Sequence, residues 1–271
     1  MKIYISVDIE GITGLVHFHQ YSAESGQQYD MRLQMTREAN AAVAGAFEGG
    51  ATEVLVNDAH GTQKNLIPLE LDKRARLILG NTKPLSMMQG IDESFDGAFF
   101  VGYHGGAGTQ AVCSHTYTDY VAEVRLNGQP AGEVMINAAV AGYFGVPVAL
   151  VTGDSAVCNE ALSILGAVET VAVKEPITRA SAKSLHPEIA CERIKAAAKS
   201  AVERLSELEP FTLEPPIRLA ISFTHAGCAD RAEIMPGSRR LDAVTVGYES
   251  EDFHNLYRGF LTMLDLAGTA A

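Results

Sequence analysis

The N-terminal segment Ile3–Gly11 alternates apolar and polar residues with a period of two. Because successive side chains of an extended strand point to opposite faces, this pattern predicts a first strand. Asp8 and Glu10 then project from one face, about 7 Å apart at a rise of about 3.3 Å per residue. Two carboxylates this close resist joint ionisation unless a cation lies between them, although a partly solvated strand end would also explain the pair.

Helical and extended periods alternate along the rest of the chain. Helices are predicted at Met31–Phe47, Glu133–Tyr143, Ser155–Leu165, Pro187–Leu208 and Glu251–Ala267, and strands at Glu53–Val56, Leu77–Leu79, Gly97–Tyr103, Val121–Leu126, Val146–Val151, Val168–Val173, Ile217–Phe223 and Ala243–Tyr248. This order predicts an α/β fold with a mostly parallel sheet and flanking helices. Since the composition shifts near Pro176, we expect a catalytic domain at 1–175 and a smaller C-terminal α/β unit at 176–271.

Charge and composition narrow the class of protein. The formal net charge of −12 argues against nucleic acid or an anionic membrane as a partner. The longest apolar stretch, Ala138–Thr152, is too short and too interrupted by glycine and proline to span a bilayer. Four scattered cysteines fit free thiols in a reducing cytoplasm, and the acidic N-terminus lacks the apolar run of a signal peptide. We therefore expect a cytoplasmic protein.

Polar residues with ligand chemistry follow several predicted strands. Asp8 and Glu10 end the first strand, and His60 and His104 follow two others. In open α/β sheets the carboxyl ends of the strands form the active-site edge. Glu133 opens a helix, where the macrodipole alone would favour an acid. Each residue has an ordinary explanation by itself, but their joint placement indicates one site.

The types of these five side chains suggest a metal. Nitrogen and oxygen ligands without thiolate suit zinc or related divalent ions. Five ligands exceed the three that one catalytic zinc needs, so two ions that share a bridging carboxylate fit the number better, and Asp8 is best placed to bridge. Two such ions about 3.5–4 Å apart can activate water and polarise a carbonyl oxygen. The H-E-x-x-H motif is absent, which excludes a thermolysin-type site.

Five motifs carry a resemblance to a known family. They are SVDIEGITG at Ser6–Gly14, VNDAHG at Val56–Gly61, VGYHGGA at Val101–Ala107, SHT at Ser114–Thr116 and GEVMINAAVAGYFGVPVALVTGD at Gly132–Asp154. In this order the chain resembles the M55 D-aminopeptidases, and it does so more weakly at Lys174–Pro187 and Met235–Gly237. The resemblance covers most of the chain.

The resemblance implies a dinuclear zinc aminopeptidase that acts on short peptides. The family's ligand positions correspond to Asp8, Glu10, His60, His104 and Glu133, with Asp8 as the bridging carboxylate and two Zn²⁺ per subunit, other divalent ions being possible. His115 corresponds to the family's catalytic histidine. Specificity for D residues, of the D-Ala-D-Ala type, rests wholly on the resemblance, and so does the expectation of a ring-shaped homo-oligomer, a decamer.

Several assignments stay open from the sequence. We favour His115 as general base or acid, since an imidazole exchanges protons near neutral pH, over direct covalent attack or a solvated loop histidine. Asp58 and Asp154 are candidates to receive the substrate ammonium, although either could equally cap a helix or brace a histidine. Asn57 and Asn137 are candidates to orient ligands. His17 and His19 are interpreted as solvated residues of a mobile loop.

Two other classes of function compete with an aminopeptidase. Dinuclear chemistry also serves other amidases and phosphoesterases, although a phosphoesterase is expected to have Arg or Lys near the metals and the strand ends have none. A non-catalytic protein that binds or senses peptides would keep the fold without needing His115. Hydrolysis assays and chelation separate these classes.

Overall fold

The computed structural model describes residues 1–271, which form twelve strands and six α-helices. The strands are β1 (Lys2–Val7), β2 (Glu53–Asp58), β3 (Arg76–Ile78), β4 (Gly97–Tyr103), β5 (Val121–Leu126), β6 (Gln129–Pro130), β7 (Val148–Asp154), β8 (Glu169–Thr178), β9 (Ser181–Ser184), β10 (Ile217–Phe223), β11 (Arg239–Arg240) and β12 (Thr245–Ser250). The helices are α1 (Gln28–Glu48), α2 (Glu133–Tyr143), α3 (Ser155–Leu165), α4 (Pro187–Glu203), α5 (Ala226–Ala232) and α6 (Phe253–Ala267).

The larger sheet has the strand order β3-β2-β1-β4-β7-β8-β9. All of its pairs are parallel except β8–β9, which is an antiparallel hairpin. Its central strands β4 and β7 are buried along their whole length, as expected for strands covered by helices on both faces. The predicted mostly parallel α/β sheet is confirmed.

Helices cover both faces of this sheet. Ile3 and Ile5 of β1 belong to one apolar core with residues of α1 and α4, whereas Tyr4 belongs to another with residues of α2 and α6. The period-two pattern of β1 thus serves two cores at once. No helix is both long enough and apolar enough to cross a bilayer.

A second, antiparallel sheet has the order β11-β12-β10-β5-β6. It joins β10–β12 of the C-terminal part to β5 and β6, which precede residue 175, while β8 continues past that residue within the larger sheet. The sheets therefore exchange segments across 175, and the division into domains at 1–175 and 176–271 stays a prediction.

Some boundaries differ from the sequence expectation because local structure interrupts the periodic pattern. Helix α4 ends at Glu203, and a 3-10 turn at Leu205–Glu207 replaces the end of the predicted helix. The pattern did not predict the two-residue strands β6 and β11, the hairpin strand β9 or the short helix α5.

Candidate metal centre

Strand β1 ends at Val7, so Asp8 and Glu10 lie just beyond it. Asp8 has left β1 and its N–H donates to Val101 O at 2.8 Å, while Gly11 N–H donates to Gly102 O at 2.8 Å. A Cβ at Gly11 would collide with the backbone of Tyr103, so only glycine allows the turn to lie this close to the end of β4. A turn, and not the alternation of a strand, brings Asp8 and Glu10 together, which corrects the expectation.

Five side chains from separate segments converge at this edge of the sheet. His60 Nδ1 lies 3.3 Å from Asp8 Oδ1 and 3.0 Å from Glu10 Oε2. His104 Nε2 lies 3.5 Å from Asp8 Oδ2 and 3.4 Å from Glu133 Oε2. The structure therefore brings together all five residues that the sequence predicts as ligands, with Asp8 between the two imidazoles.

Three of these side chains have a buried atom without a hydrogen-bond partner, namely Glu10 Oε2, His104 Nε2 and Glu133 Oε2. Leaving a buried polar group unpaired costs about 1–3 kcal/mol, and more when the group is charged. All three atoms face the same cluster and have lone pairs available. The donor set thus fits a divalent cation, which would satisfy all three.

The second polar atom of each of these side chains is already engaged by the protein. His104 Nδ1 donates to the carbonyl of the next residue at 3.0 Å, since a carbonyl can only accept, and in the neutral imidazole Nε2 therefore carries the lone pair. Tyr21 Oη donates to Glu10 Oε1 at 2.9 Å, and Tyr117 N–H donates to Glu133 Oε1 at 2.7 Å. Such contacts orient metal ligands.

The carboxylates make the centre strongly attractive to positive charge. Burial disfavours the charged imidazole of His60, yet Glu10 and Asp8 raise its pKa to about 10. Against the same effect of burial, Glu133 and Asp8 hold the pKa of His104 well above its ordinary value. Burial would raise the pKa of Asp8, but the two imidazoles hold it well below its usual range. Protonation of the two histidines therefore competes with the binding of a divalent cation, because a ligand must be deprotonated to bind metal.

His115 lies beside the five residues on the loop between β4 and β5. Its Nδ1 donates to Cys113 O at 2.8 Å, which leaves the lone pair on Nε2, 4.0 Å from Glu133 Oε1. Its ring stacks on that of His104 with centroids 4.4 Å apart, and its side chain is 13% exposed. An imidazole with a free Nε2 at the edge of a pocket can take up and release a proton there.

A pocket of about 280 Å³ opens over this cluster. Its lining consists of Asp8, Glu10, Phe18, Tyr21, Ala59, His60, Gly61, Gln63, Ser86, Met87, His115, Tyr117, Thr118, Asp119 and Glu133. His104 lies beneath the lining, and none of the lining residues is Lys or Arg. This volume is large enough for a small ligand, or for one end of a short linear ligand, but not for a large one.

Sequence reasoning missed two aromatic residues of this pocket. Phe18 and Tyr21 lie on a one-turn 3-10 helix, and the Tyr21 ring lies 4.5 Å from that of His60. The loop histidines His17 and His19 are exposed and do not line the pocket, as expected. A spacing of three residues between two aromatic side chains matches one 3-10 turn, and this was the available signal.

The two acids expected to receive an ammonium group have other partners. Asp58 Oδ2 accepts the backbone N–H groups of Asn65 and Leu66 at 2.5 and 2.7 Å, and Asp154 Oδ1 caps α3 by accepting from Val157 N at 2.9 Å. Both are fully buried and neither lines the pocket. Their positions do not support the ammonium role, and Asp154 fills the alternative role of a helix cap.

The side chains of Asn57 and Asn137 have no hydrogen bond to a predicted ligand. Asn57 Nδ2 donates to Met87 O at 2.7 Å. Asn137 Nδ2 donates to Tyr103 Oη at 2.9 Å, and its Oδ1 accepts from Tyr117 Oη at 2.8 Å. Through Tyr117, Asn137 is one residue removed from the Glu133 carboxylate.

Lys174 of β8 is a further residue that the sequence did not single out. Its buried ammonium donates to the backbone carbonyls of Glu10, Ile12 at 3.0 Å and Leu15 at 2.6 Å. Burial lowers its pKa to about 8, although Asp154 favours the charged form. Lys174 thereby fastens the segment that carries Glu10 to the neighbouring part of the sheet.

Comparisons with known proteins show the family to which this chain belongs. A sequence model of the M55 peptidase family, described as D-aminopeptidase, matches residues 1–262. A D-aminopeptidase of Bacillus subtilis (strain 168) is 41% identical over an alignment of 272 positions, which covers 98% of this chain and 98% of that protein. The solved structure of the Zn-dependent D-aminopeptidase DppA from Bacillus subtilis, a self-compartmentalizing protease, superimposes with a TM-score of 0.96 at 39% identity and covers 99% of this chain and 98% of that one. The chain belongs to the M55 family of D-aminopeptidases.

Proposed function

We propose that this protein is a zinc-dependent aminopeptidase that releases the N-terminal residue of short peptides, with preference for a D residue at that position. The proposal joins membership of a D-aminopeptidase family to the chemistry of the pocket. The relative DppA is described as Zn-dependent, and the nitrogen and oxygen donors of this chain suit the same metal.

The observation that carries the proposal is the position of Asp8 between two imidazoles. Its Oδ1 lies on the side of His60 and Glu10, and its Oδ2 lies on the side of His104 and Glu133. This division supports two ions: Glu10 and His60 would hold one, His104 and Glu133 would hold the other, and Asp8 would contribute to both. Other divalent ions could occupy the same donors.

The protein's own residues supply the rest of the chemistry. When bound, a pair of divalent ions activates water and polarises the scissile carbonyl. His115 Nε2, with its lone pair facing the pocket, accepts a proton from the attacking water and returns one to the leaving amine. The stack on His104 and the bond to Cys113 O hold the imidazole in this orientation.

The lining gives no support to a phosphoesterase. Enzymes that transfer phosphoryl groups stabilise the transition-state charge with Arg or Lys beside the metals, and this pocket has neither. Phe18 and Tyr21 instead offer aromatic surface to a small side chain. We therefore favour peptide substrates.

We also propose that the chain assembles into a closed homo-oligomer, a ring-shaped decamer. The relative DppA is described as self-compartmentalizing, which requires several subunits around an enclosed space. Light scattering on the purified protein tests the assembly, with ten chain masses expected and a stable monomer contradicting it.

The function is tested by measuring bound zinc per subunit alongside hydrolysis of D-Ala-D-Ala, L-Ala-L-Ala and p-nitrophenyl phosphate. We expect two zinc ions per subunit and cleavage of the D-dipeptide well above the other two substrates, lost on chelation and restored by zinc. Equal cleavage of both dipeptides would overturn the D preference. A zinc-loaded protein that cleaves no peptide would instead indicate a peptide-binding protein.

A further inference from the structure

The loop that carries His115 has an unfavourable backbone on both sides of that residue. Cys113 has a φ of 51° and Tyr117 a φ of 63°, in the left-handed region that residues with a Cβ seldom adopt. A residue with a Cβ persists in this region only when its surroundings enforce it. The loop therefore depends on contacts from outside to keep His115 in place.

One residue outside the loop supplies several of these contacts. Arg179 lies at the turn between β8 and β9, and its carbonyl accepts Cys113 N–H at 2.9 Å. Its Nε and Nη2 both donate to Ser114 O, at 3.2 and 3.1 Å, and Nη2 lies 3.4 Å from Asp119 Oδ1. Arg179 thus holds the loop before and after His115.

The same guanidinium reaches His115 by a second route. It lies over the ring of Phe18, 5.0 Å from the centroid, at cation–π distance. The Phe18 ring in turn meets the His115 ring edge to face, with centroids 5.6 Å apart. Arg179 therefore supports His115 through the backbone of its loop and through an aromatic side chain of the pocket.

We infer that Arg179 is a positioning residue that fixes the imidazole of His115 relative to Glu133. Arg179 makes no contact with the predicted metal ligands, does not line the pocket and is 54% exposed, so a direct catalytic or metal-binding role does not follow. The inference rests on the proposed function for its effect on turnover, but the positioning itself is a property of the loop.

The chain offers a matched control for the test. Arg74 also joins a carboxylate and an aromatic ring, since its Nη2 lies 2.5 Å from Asp72 Oδ2 and its guanidinium lies 4.5 Å from the Phe47 centroid. Arg74 does not line the pocket and is similarly exposed. The variants are Arg179→Ala, Arg179→Lys and the control Arg74→Ala, each in the zinc-loaded full chain.

On D-Ala-D-Ala we expect Arg179→Ala to lower kcat about 100-fold, the loss typical of a catalytic group displaced by about 1 Å, with KM nearly unchanged and zinc content intact. Lysine restores part of the loss, because one ammonium can bind Ser114 O but cannot make both bonds and cover the ring. Millimolar guanidinium restores activity to Arg179→Ala, and Arg74→Ala behaves as wild type. A rise in KM alone, or an unchanged kcat, would overturn the inference.

Hydrogen exchange tests the positioning without any substrate. Amides of residues 114–117 should exchange at least about ten-fold faster in Arg179→Ala than in wild type or Arg74→Ala, because the guanidinium contacts with Ser114, Asp119 and Phe18 are lost while the backbone bond to Cys113 stays. Equal exchange in all three proteins would refute the inference. If wild type cleaves no peptide, the proposed function fails, and the exchange result still decides the role of Arg179.

Discussion

The carboxyl edge of the larger sheet and the exposed face of the smaller sheet both carry charged residues, but the two sets differ in solvent exposure and in pairing. On the smaller sheet, Arg125 lies 2.7 Å from Glu123 and Arg218 lies 2.8 Å from Glu249, and these pairs face solvent. At the edge of the larger sheet, the carboxylates of Asp8, Glu10 and Glu133 and the imidazole of His104 are buried, and three of their atoms have no hydrogen-bond partner in the protein.

The difference distinguishes exposed ion pairs, which the fold tolerates at little cost, from buried charged groups, which indicate a functional site. Exposed ion pairs contribute about 0–1 kcal/mol and are screened by salt, so their removal changes little. A buried charge without a partner destabilises the folded state, and natural sequences violate the rule against it mainly at functional sites. The contrast predicts a graded series of effects.

The largest effect should follow loss of the shared carboxylate. Asp8→Asn keeps the shape but removes the charge that lies between both imidazoles, so we expect loss of bound zinc and of essentially all hydrolysis. Chelation of wild type should do the same and lower the melting temperature, since saturating metal at about 1,000 times its Kd stabilises by about 4 kcal/mol. Elemental analysis measures the bound zinc, calorimetry measures the melting temperature, and a peptide assay measures hydrolysis. Full activity in Asp8→Asn would contradict the assigned role of this carboxylate.

The next effect concerns proton transfer without metal loss. His115→Ala should retain zinc but lose about 100- to 10,000-fold in kcat, the usual contribution of a general acid or base. Steady-state kinetics on D-Ala-D-Ala and zinc content of the same sample measure both quantities. Turnover close to that of wild type would remove His115 from the mechanism.

A buried cation should matter for stability more than an exposed one. Lys174→Met leaves three carbonyls without their donor, so we expect the free energy of unfolding to fall by about 3 kcal/mol or more. Lys195 pairs with Glu48 at the surface at 2.7 Å, and Lys195→Met is the matched control, with a change below about 1 kcal/mol. Urea unfolding of both variants measures the difference, and similar losses would contradict the comparison.

The smallest effect is expected on the second sheet. Arg218→Ala removes an exposed ion pair and should change the free energy of unfolding by less than about 1 kcal/mol, with kcat and zinc content unchanged. Thermal unfolding at low and high salt checks this value. A large loss would contradict the view that this exposed pair contributes little.

The sequence predicted most of the fold because strand and helix periods were regular where the sheet is buried. The alternation of β1 and the apolar run of β7 correspond to strands that face two cores or are buried throughout. Strand pairing across long separations, such as β5 with β10, had no local signal, so the second sheet could not be assembled from the pattern.

The site was predictable where chemistry and position agreed. Asp8, His60 and His104 follow strands that are neighbours in the sheet, so their convergence was a consequence of topology. Lys174 and Arg179 were not predictable, since nothing near a lysine or arginine in β8 or its turn indicates that its partners are carbonyls of distant loops. Asp58 and Asp154 had the right charge near the right edge, but backbone N–H groups already occupied them.

Diffraction at the zinc absorption edge from crystals of the zinc-loaded protein tests the metal centre most directly. Two anomalous peaks are predicted, one bounded by Asp8, Glu10 and His60 and the other by Asp8, His104 and Glu133. Zinc-loaded crystals without a peak among these five side chains would contradict the proposed centre.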